Sequence, residues 1–157
     1  MTPVSLFLPD AAATDALGHA LAATQPAHAV VHLHGDLGAG KSTLARAWLR
    51  ALGVEGPVRS PTYTLVERYA LDNGGEALHL DLYRIGDAGE LEFLGLDDAQ
   101  ARLWLVEWPE RGLAALPAPV LRVSLAVEGA GRRCRLEGLG EVGGDWLASE
   151  DLQPLFA

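Results

Sequence analysis

The only lysine of this chain, Lys41, sits in the run Gly35, Asp36, Leu37, Gly38, Ala39, Gly40, Lys41, Ser42. Every fixed position of the phosphate-binding (Walker A) pattern G-x-x-x-x-G-K-[ST] is met. Every other basic side chain, histidines aside, is an arginine. Arginine suffices for surface charge and ion pairs. A phosphate loop needs a compact ammonium on a flexible stem that reaches the β- and γ-phosphates. The glycines let backbone N–H groups turn toward phosphate oxygens, and the N-terminus of a following helix adds a favourable dipole. The Ser42 hydroxyl is placed to meet Mg²⁺.

The flanks supply the context this loop requires. Residues Ala29 to His34 form a short apolar run rich in β-branched side chains, of strand length, leading directly into Gly35. Beyond the loop, Leu44, Trp48 and Leu52 recur at helical spacing, with Ala45 and Leu49 beside them and Gly53 at a helix end. Strand, glycine loop and helix predict an α/β, P-loop NTPase-like three-layer fold with a mixed, partly antiparallel central sheet.

At 157 residues the chain is expected to be one domain, residues 1–157. Hydrophobic residues make up 49% and charged residues 21%, which excludes a disordered class. No apolar stretch reaches membrane-span length. The first residues lack a basic segment and read as a strand rather than a signal peptide. Cys134 stands alone, so no internal disulfide forms and a cytoplasmic location is the default. It reads as a small core residue rather than a nucleophile. A formal net charge of −9, with Arg132, Arg133 and Arg135 as the one small basic cluster, argues against independent nucleic-acid binding. Any role on RNA needs a partner that supplies positive surface.

Along the chain, strands are expected at Val4 to Leu8, Thr62 to Leu71, Ala77 to Tyr83, Leu103 to Val106, Val120 to Val127 and Arg133 to Leu139. Hairpins are expected across residues 72–75 and 128–131. Helices are expected at Ala11 to Ala23, Asp87 to Leu94, just after Pro109, and from Asp145 to Phe156 with an interruption near Pro154.

A phosphate loop alone gives binding. Hydrolysis also needs a carboxylate near Mg²⁺ and a group that places the nucleophile. Two apolar strands end in carboxylates: one at Glu107, where Asp is commoner, and one at Asp81. Either suits a metal, directly or through water. Arg59 to Thr64 is a polar segment with hydroxyls at Ser60, Thr62 and Thr64, placed where phosphate-loop proteins often sense the γ-phosphate. His32 and His34 alternate on one side of a strand and read as packing or hydrogen-bonding residues. Trp108 and Tyr83 read as core anchors or partner-facing aromatics. Guanine readers use a lysine two residues before an aspartate. The only lysine is already committed to the loop, so the expected nucleotide is ATP.

Five segments in this order resemble the bacterial TsaE (YjeE) family. They are residues 14–22, the loop 35–43, residues 60–66, residues 79–84 and residues 106–110. The resemblance covers most of the chain and is weak in its last third. Ser42 departs from the family's commoner threonine but keeps the hydroxyl.

The resemblance implies a Mg²⁺-dependent ATPase of tRNA threonylcarbamoyladenosine synthesis, slow alone and stimulated by partners. The implied partner is a TsaB–TsaD complex that transfers the threonylcarbamoyl group and meets the tRNA itself. It implies that Gly35 to Thr43 hold the phosphates, with Lys41 on the β/γ oxygens. Ser42 and Glu107 hold Mg²⁺, and Asp81 acts as a second acidic group on water or metal. Thr62, Tyr83 and Trp108 belong to the motif set. Thr14 lies near the adenine, and Arg132 or Arg133 near the nucleotide.

Two other readings remain. A stand-alone small-molecule kinase uses the same loop but needs an acceptor pocket and a lid. A nucleotide-gated interaction module needs binding without turnover, which a hydrolysis-dead variant that still binds ATP separates.

Overall fold

The computed structural model describes residues 3–72, 74–94, 96 and 101–156. Seven strands form one sheet: β1 (Val4–Leu8), β2 (Ala29–His34), β3 (Val66–Ala70), β4 (Glu76–Asp81), β5 (Ala101–Glu107), β6 (Leu121–Glu128) and β7 (Gly131–Gly138). Their spatial order is β1-β7-β6-β2-β5-β4-β3. The centre, β6-β2-β5-β4, is parallel, while β3, β7 and β1 add antiparallel edges. The expected mixed sheet is therefore present. Its parallel centre aligns the ends of β2, β4 and β5, with Leu33 opposite Glu107 and Asp81 opposite Glu107.

Among the described residues, four α-helices accompany the sheet: α1 (Ala11–Thr24), α2 (Lys41–Ala51), α3 (Gly140–Leu147) and the single turn α4 (Gln153–Phe156). Asp10 caps α1 by accepting the Ala13 N–H at 2.9 Å, which satisfies one orphan donor of the first turn. Of the stripe predicted on α2, Leu44, Ala45, Trp48 and Leu49 are fully covered and pack with Leu17 and Leu21 of α1, while Leu52 falls at the C-cap and is only partly buried. Trp48 meets Trp146 of α3 edge-on at 5.9 Å and donates its indole N–H to Gln25 at 2.6 Å. Each buried aromatic or leucine here contributes roughly 1.5–3 kcal/mol.

The opposite face carries a smaller core around Leu78, Leu80, Leu82, Ile85, Leu91 and Val106. Its cover consists of 3-10 turns, Ala88–Leu94 and Leu113–Ala115, rather than long helices. On the same face, His34, Arg122, Ser124, Arg135 and Glu137 line a shallow cleft of about 280 Å³. No helix among the described residues is long and apolar enough to cross a membrane.

Three expectations need correction. The strand expected from Thr62 begins at Val66, and Pro61 to Thr64 are turns. Leu65 adopts φ +67°, its N–H bonds back to the Pro61 carbonyl at 2.8 Å, and the hydroxyls of Ser60 and Thr62 bond each other at 2.7 Å. Such local bonds compete with a strand ladder. The strand expected to reach Tyr83 stops at Asp81, whose own carboxylate accepts the Tyr83 N–H at 3.0 Å and turns the chain. The terminal helix begins at Gly140 and breaks at Ala148 and Ser149, ahead of Pro154, which sits in the first turn of α4 where proline is tolerated. The hairpin at 72–75 includes Asn73, which lies outside the described residues; its strands pair antiparallel from Val66↔Leu80 to Ala70↔Glu76.

Candidate nucleotide and metal site

The site is assembled where β2, β4 and β5 end together. β2 runs into Gly35, and the loop returns as the first turn of α2, with Gly40 as its N-cap at φ +107°. That conformation strongly favours glycine. Gly35, at φ +146°, lies so close to β6 that a Cβ would stand 2.5 Å from the Leu125 carbonyl oxygen. The loop's tight path therefore needs both residues to be glycine. Arg132 of β7 clasps it from outside, donating to the carbonyls of Ala39 at 3.1 Å and Gly38 at 3.2 Å. Asp36 and Leu37 are exposed at its tip.

Lys41 is 4% exposed. Its ammonium donates to the Gly35 carbonyl and lies 4.0 Å from the centre of the Trp108 ring. Burial pushes its pKa below the usual lysine range, while Glu107, Asp81, Glu110 and Asp36 pull it back up. Trp108 holds this place at φ +55°, unusual for a bulky residue, at a cost of about 1–2 kcal/mol. Tyr83 packs against it at 5.0 Å between ring centres. Arg111 covers the pair, 5.2 Å from the Tyr83 ring and 5.6 Å from the Trp108 ring.

Both strand-end carboxylates face the loop. Glu107, 2% exposed, accepts the Ser42 hydroxyl with both oxygens at 3.1 Å. The His79 Nε2–H donates to its Oε2 at 2.6 Å. Asp81, 6% exposed, accepts the Thr62 hydroxyl at 3.3 Å. Together Leu37, Gly38, Gly40, Lys41, Ser42, Thr43, Thr62, Asp81, Glu107, Trp108 and Arg132 line one cavity of about 240 Å³. An adjoining cavity of about 150 Å³ shares Gly40, Thr43 and Arg132 and reaches Thr14, Leu8, Asp10 and Ala11.

This arrangement fits a nucleotide with Mg²⁺. A Cβ built on Gly38 would meet no other atom within 4 Å, so the loop is open on that side. Two nearly buried carboxylates and a hydroxyl form a hard-oxygen set around a single lysine. Among the described residues, no group of three or more His, Cys, Asp or Glu forms a metal cage. Mg²⁺ typically takes one or two carboxylates and completes its shell with water and substrate phosphates. The cavity at Thr14 continues the phosphate site toward a place for a base.

Of the residues expected at the nucleotide, Arg133 is turned away from this site. It lies one residue from Arg132, so strand alternation turns it to the other face, where it donates to Glu128 at 2.9 Å and covers Phe7. His32 and His34 stay on the sheet face away from α2. The Nε2 atoms of both are buried without a protein partner, and His34 Nδ1 stands 3.9 Å from Glu110. Burial, then His34 and Arg122, lower the His32 pKa to about 4. Cys134 is a core residue whose thiol burial pushes up to about 12. Sequence reasoning missed His79 and Arg111. His79 was legible in outline, since it lies two places before Asp81 on one strand and so shares its face.

The profile of the family described as "Threonylcarbamoyl adenosine biosynthesis protein TsaE" matches residues 8–134. The chain is 47% identical over 98 residues to the tRNA threonylcarbamoyladenosine biosynthesis protein TsaE of Haemophilus influenzae, spanning 61% of each chain. It is 34% identical over 134 residues to the protein of the same name from a Nostoc species, spanning 82% of this chain and 81% of that one. The crystal structure of Bacillus subtilis YdiB superposes with a TM-score of 0.76 at 25% identity, covering 94% of this chain and 93% of that chain. The matched residues contain the loop, the Thr62 turn, both carboxylates and Trp108. The chain belongs to the TsaE family.

Proposed function

We propose that this chain binds and hydrolyses Mg²⁺-ATP as the ATPase subunit that supports threonylcarbamoyl transfer to a tRNA adenosine by a TsaB–TsaD complex. One observation carries the reading: Lys41, Ser42, Glu107 and Asp81 converge on one cavity at the N-terminus of α2.

In this reading the loop N–H groups and Lys41 receive the phosphates, with the Lys41 ammonium leaving the Gly35 carbonyl for the β/γ oxygens. Ser42 and Glu107 hold Mg²⁺, which offsets developing phosphate charge when bound. Asp81, held by Thr62, orients the attacking water. Thr14 and the adjoining cavity take the base. Tyr83 and Trp108, packed together at a tilt and covered by Arg111, are the groups through which a partner reaches the site. The excess of acidic residues fits a subunit that leaves tRNA contact to the complex. A cytoplasmic location belongs to the same proposal.

The test is phosphate release from ATP by the purified chain, alone and with TsaB–TsaD from the same organism. Slow Mg²⁺-dependent release that the complex accelerates is expected. A donor supplied in trans raises phosphate-loop turnover by roughly 10³–10⁵-fold in the strongest cases. Equal rates with and without the complex, or no co-elution in ATP on size-exclusion chromatography, would refute the partner assignment.

A further inference from the structure

Among the described residues, three buried imidazole nitrogens lack a hydrogen-bond partner: His32 Nε2, His34 Nε2 and His79 Nδ1. The first two belong to the outer sheet face. His79 is different, because its other nitrogen makes the shortest contact to Glu107.

Glutamate has one more rotatable bond than the aspartate commonly found at such a strand end. A free Glu side chain loses up to about 1.5–2 kcal/mol of rotamer entropy when fixed. Here the fixing is already done. β4 and β5 are parallel and in register, with His79 opposite Leu105 and Asp81 opposite Glu107. His79 and Glu107 therefore lie on the same helix-covered face. Both are almost fully covered, with side chains 2% and 3% exposed. The imidazole ties Oε2 from the strand side, and Ser42 meets both oxygens from the loop side.

We propose that His79 is a positioning residue that presents the Glu107 carboxylate to Mg²⁺. The proposal rests on the Mg²⁺-nucleotide reading of the cleft and adds to it the group that fixes the ligand. A packing role alone does not account for His79. An apolar side chain would fill the same space without burying a partnerless Nδ1, which costs about 1–3 kcal/mol. The imidazole is worth that cost if its Nε2–H holds the carboxylate. Comparable outer partners of metal ligands change metal affinity or activity by roughly 10–100-fold. Asp81 is held differently, by the Tyr83 N–H and the Thr62 hydroxyl.

The experiment compares wild type with His79→Leu, His79→Asn and His79→Gln. Glutamine places its amide nitrogen near where Nε2 stands, whereas asparagine places it near Nδ1. ADP affinity is measured by calorimetry with and without Mg²⁺, and the ratio of the two constants is the readout. The ratio is expected to fall roughly 10–100-fold in His79→Leu and His79→Asn and to stay near wild type in His79→Gln. Mg²⁺-free ADP affinity should be unchanged in all three.

If His79→Leu does not fold, the asparagine and glutamine pair decides. A wild-type ratio in His79→Leu, or identical ratios in His79→Asn and His79→Gln, overturns the role of His79. A wild-type chain whose ADP affinity ignores Mg²⁺ instead overturns the reading of the cleft.

Discussion

The two walls of the cleft are built in different ways. The loop wall, Gly35 to Thr43, is fixed by β2, by α2, by glycines at positive φ and by the Arg132 clasp. The facing wall, Ser60 to Leu65, is a turn tied to the site through one Thr62–Asp81 hydrogen bond of 3.3 Å and a backbone bond from Asp81 to Leu65. Tyr63 on that wall is 82% exposed. One wall is ready to bind, and the other is lightly held and placed to respond. Binding and turnover should therefore separate when the two walls are altered independently.

The largest effect is expected from the loop wall. Lys41→Ala removes the only ammonium and should weaken ATP binding by about 100-fold or more, the scale of lost charge-assisted hydrogen bonds. Calorimetry measures this, and an unchanged circular dichroism spectrum shows that the fold persists. At the base of the cleft, Glu107→Gln keeps shape and removes charge. It should lower Mg²⁺-dependent turnover by at least roughly 10–100-fold while sparing Mg²⁺-free binding. Undiminished turnover would shift the metal assignment to Asp81.

The strand that feeds the loop wall carries two acid-labile groups, His32 and His34, both held below the ordinary histidine range by burial. His32, on the back of β2, protonates near 6.5 when unfolded but near 4 when folded. The unfolded chain then holds more protons between these values. His32's contribution is thus fully favourable above pH 6.5 and is lost as pH falls toward 4. Between pH 7 and pH 5 the loss is about 2 kcal/mol. Urea melts at the two pH values should show it, and His32→Leu should shrink the difference by the His32 share, leaving that of His34. The smallest effect belongs to the responding wall. Thr62→Val removes two hydroxyl hydrogen bonds of about 0.5–1.5 kcal/mol each. It should slow turnover by up to about tenfold and leave ATP affinity within about twofold. A larger loss of affinity than of turnover would erase the distinction between the walls.

The same contrast decides what was legible in the sequence. The loop wall is local: strand, glycines, lysine and helix follow one another, so its fold and chemistry can be read in one pass. Val4–Leu8 and Ala29–His34 were legible for the same reason, as alternating or β-branched runs. The responding wall depends on distant partners. Nothing within residues 60–65 announces that Thr62 bonds Asp81 or that Leu65 turns left-handed, so the strand was read as starting at Thr62. His79 and Glu107 are joined only by the parallel register of β4 and β5, which no local pattern specifies. Arg132 and Arg133 could not be separated until the strand's phase was known.

The most direct test of the account is phosphate release from ATP in the presence of Mg²⁺ by wild type, Lys41→Ala and Glu107→Gln, each with TsaB–TsaD present. The account predicts release by wild type, none above background by Lys41→Ala, and strongly reduced release by Glu107→Gln that retains nucleotide binding. Equal release by all three, or none by wild type, would contradict the claim that this cleft hydrolyses ATP.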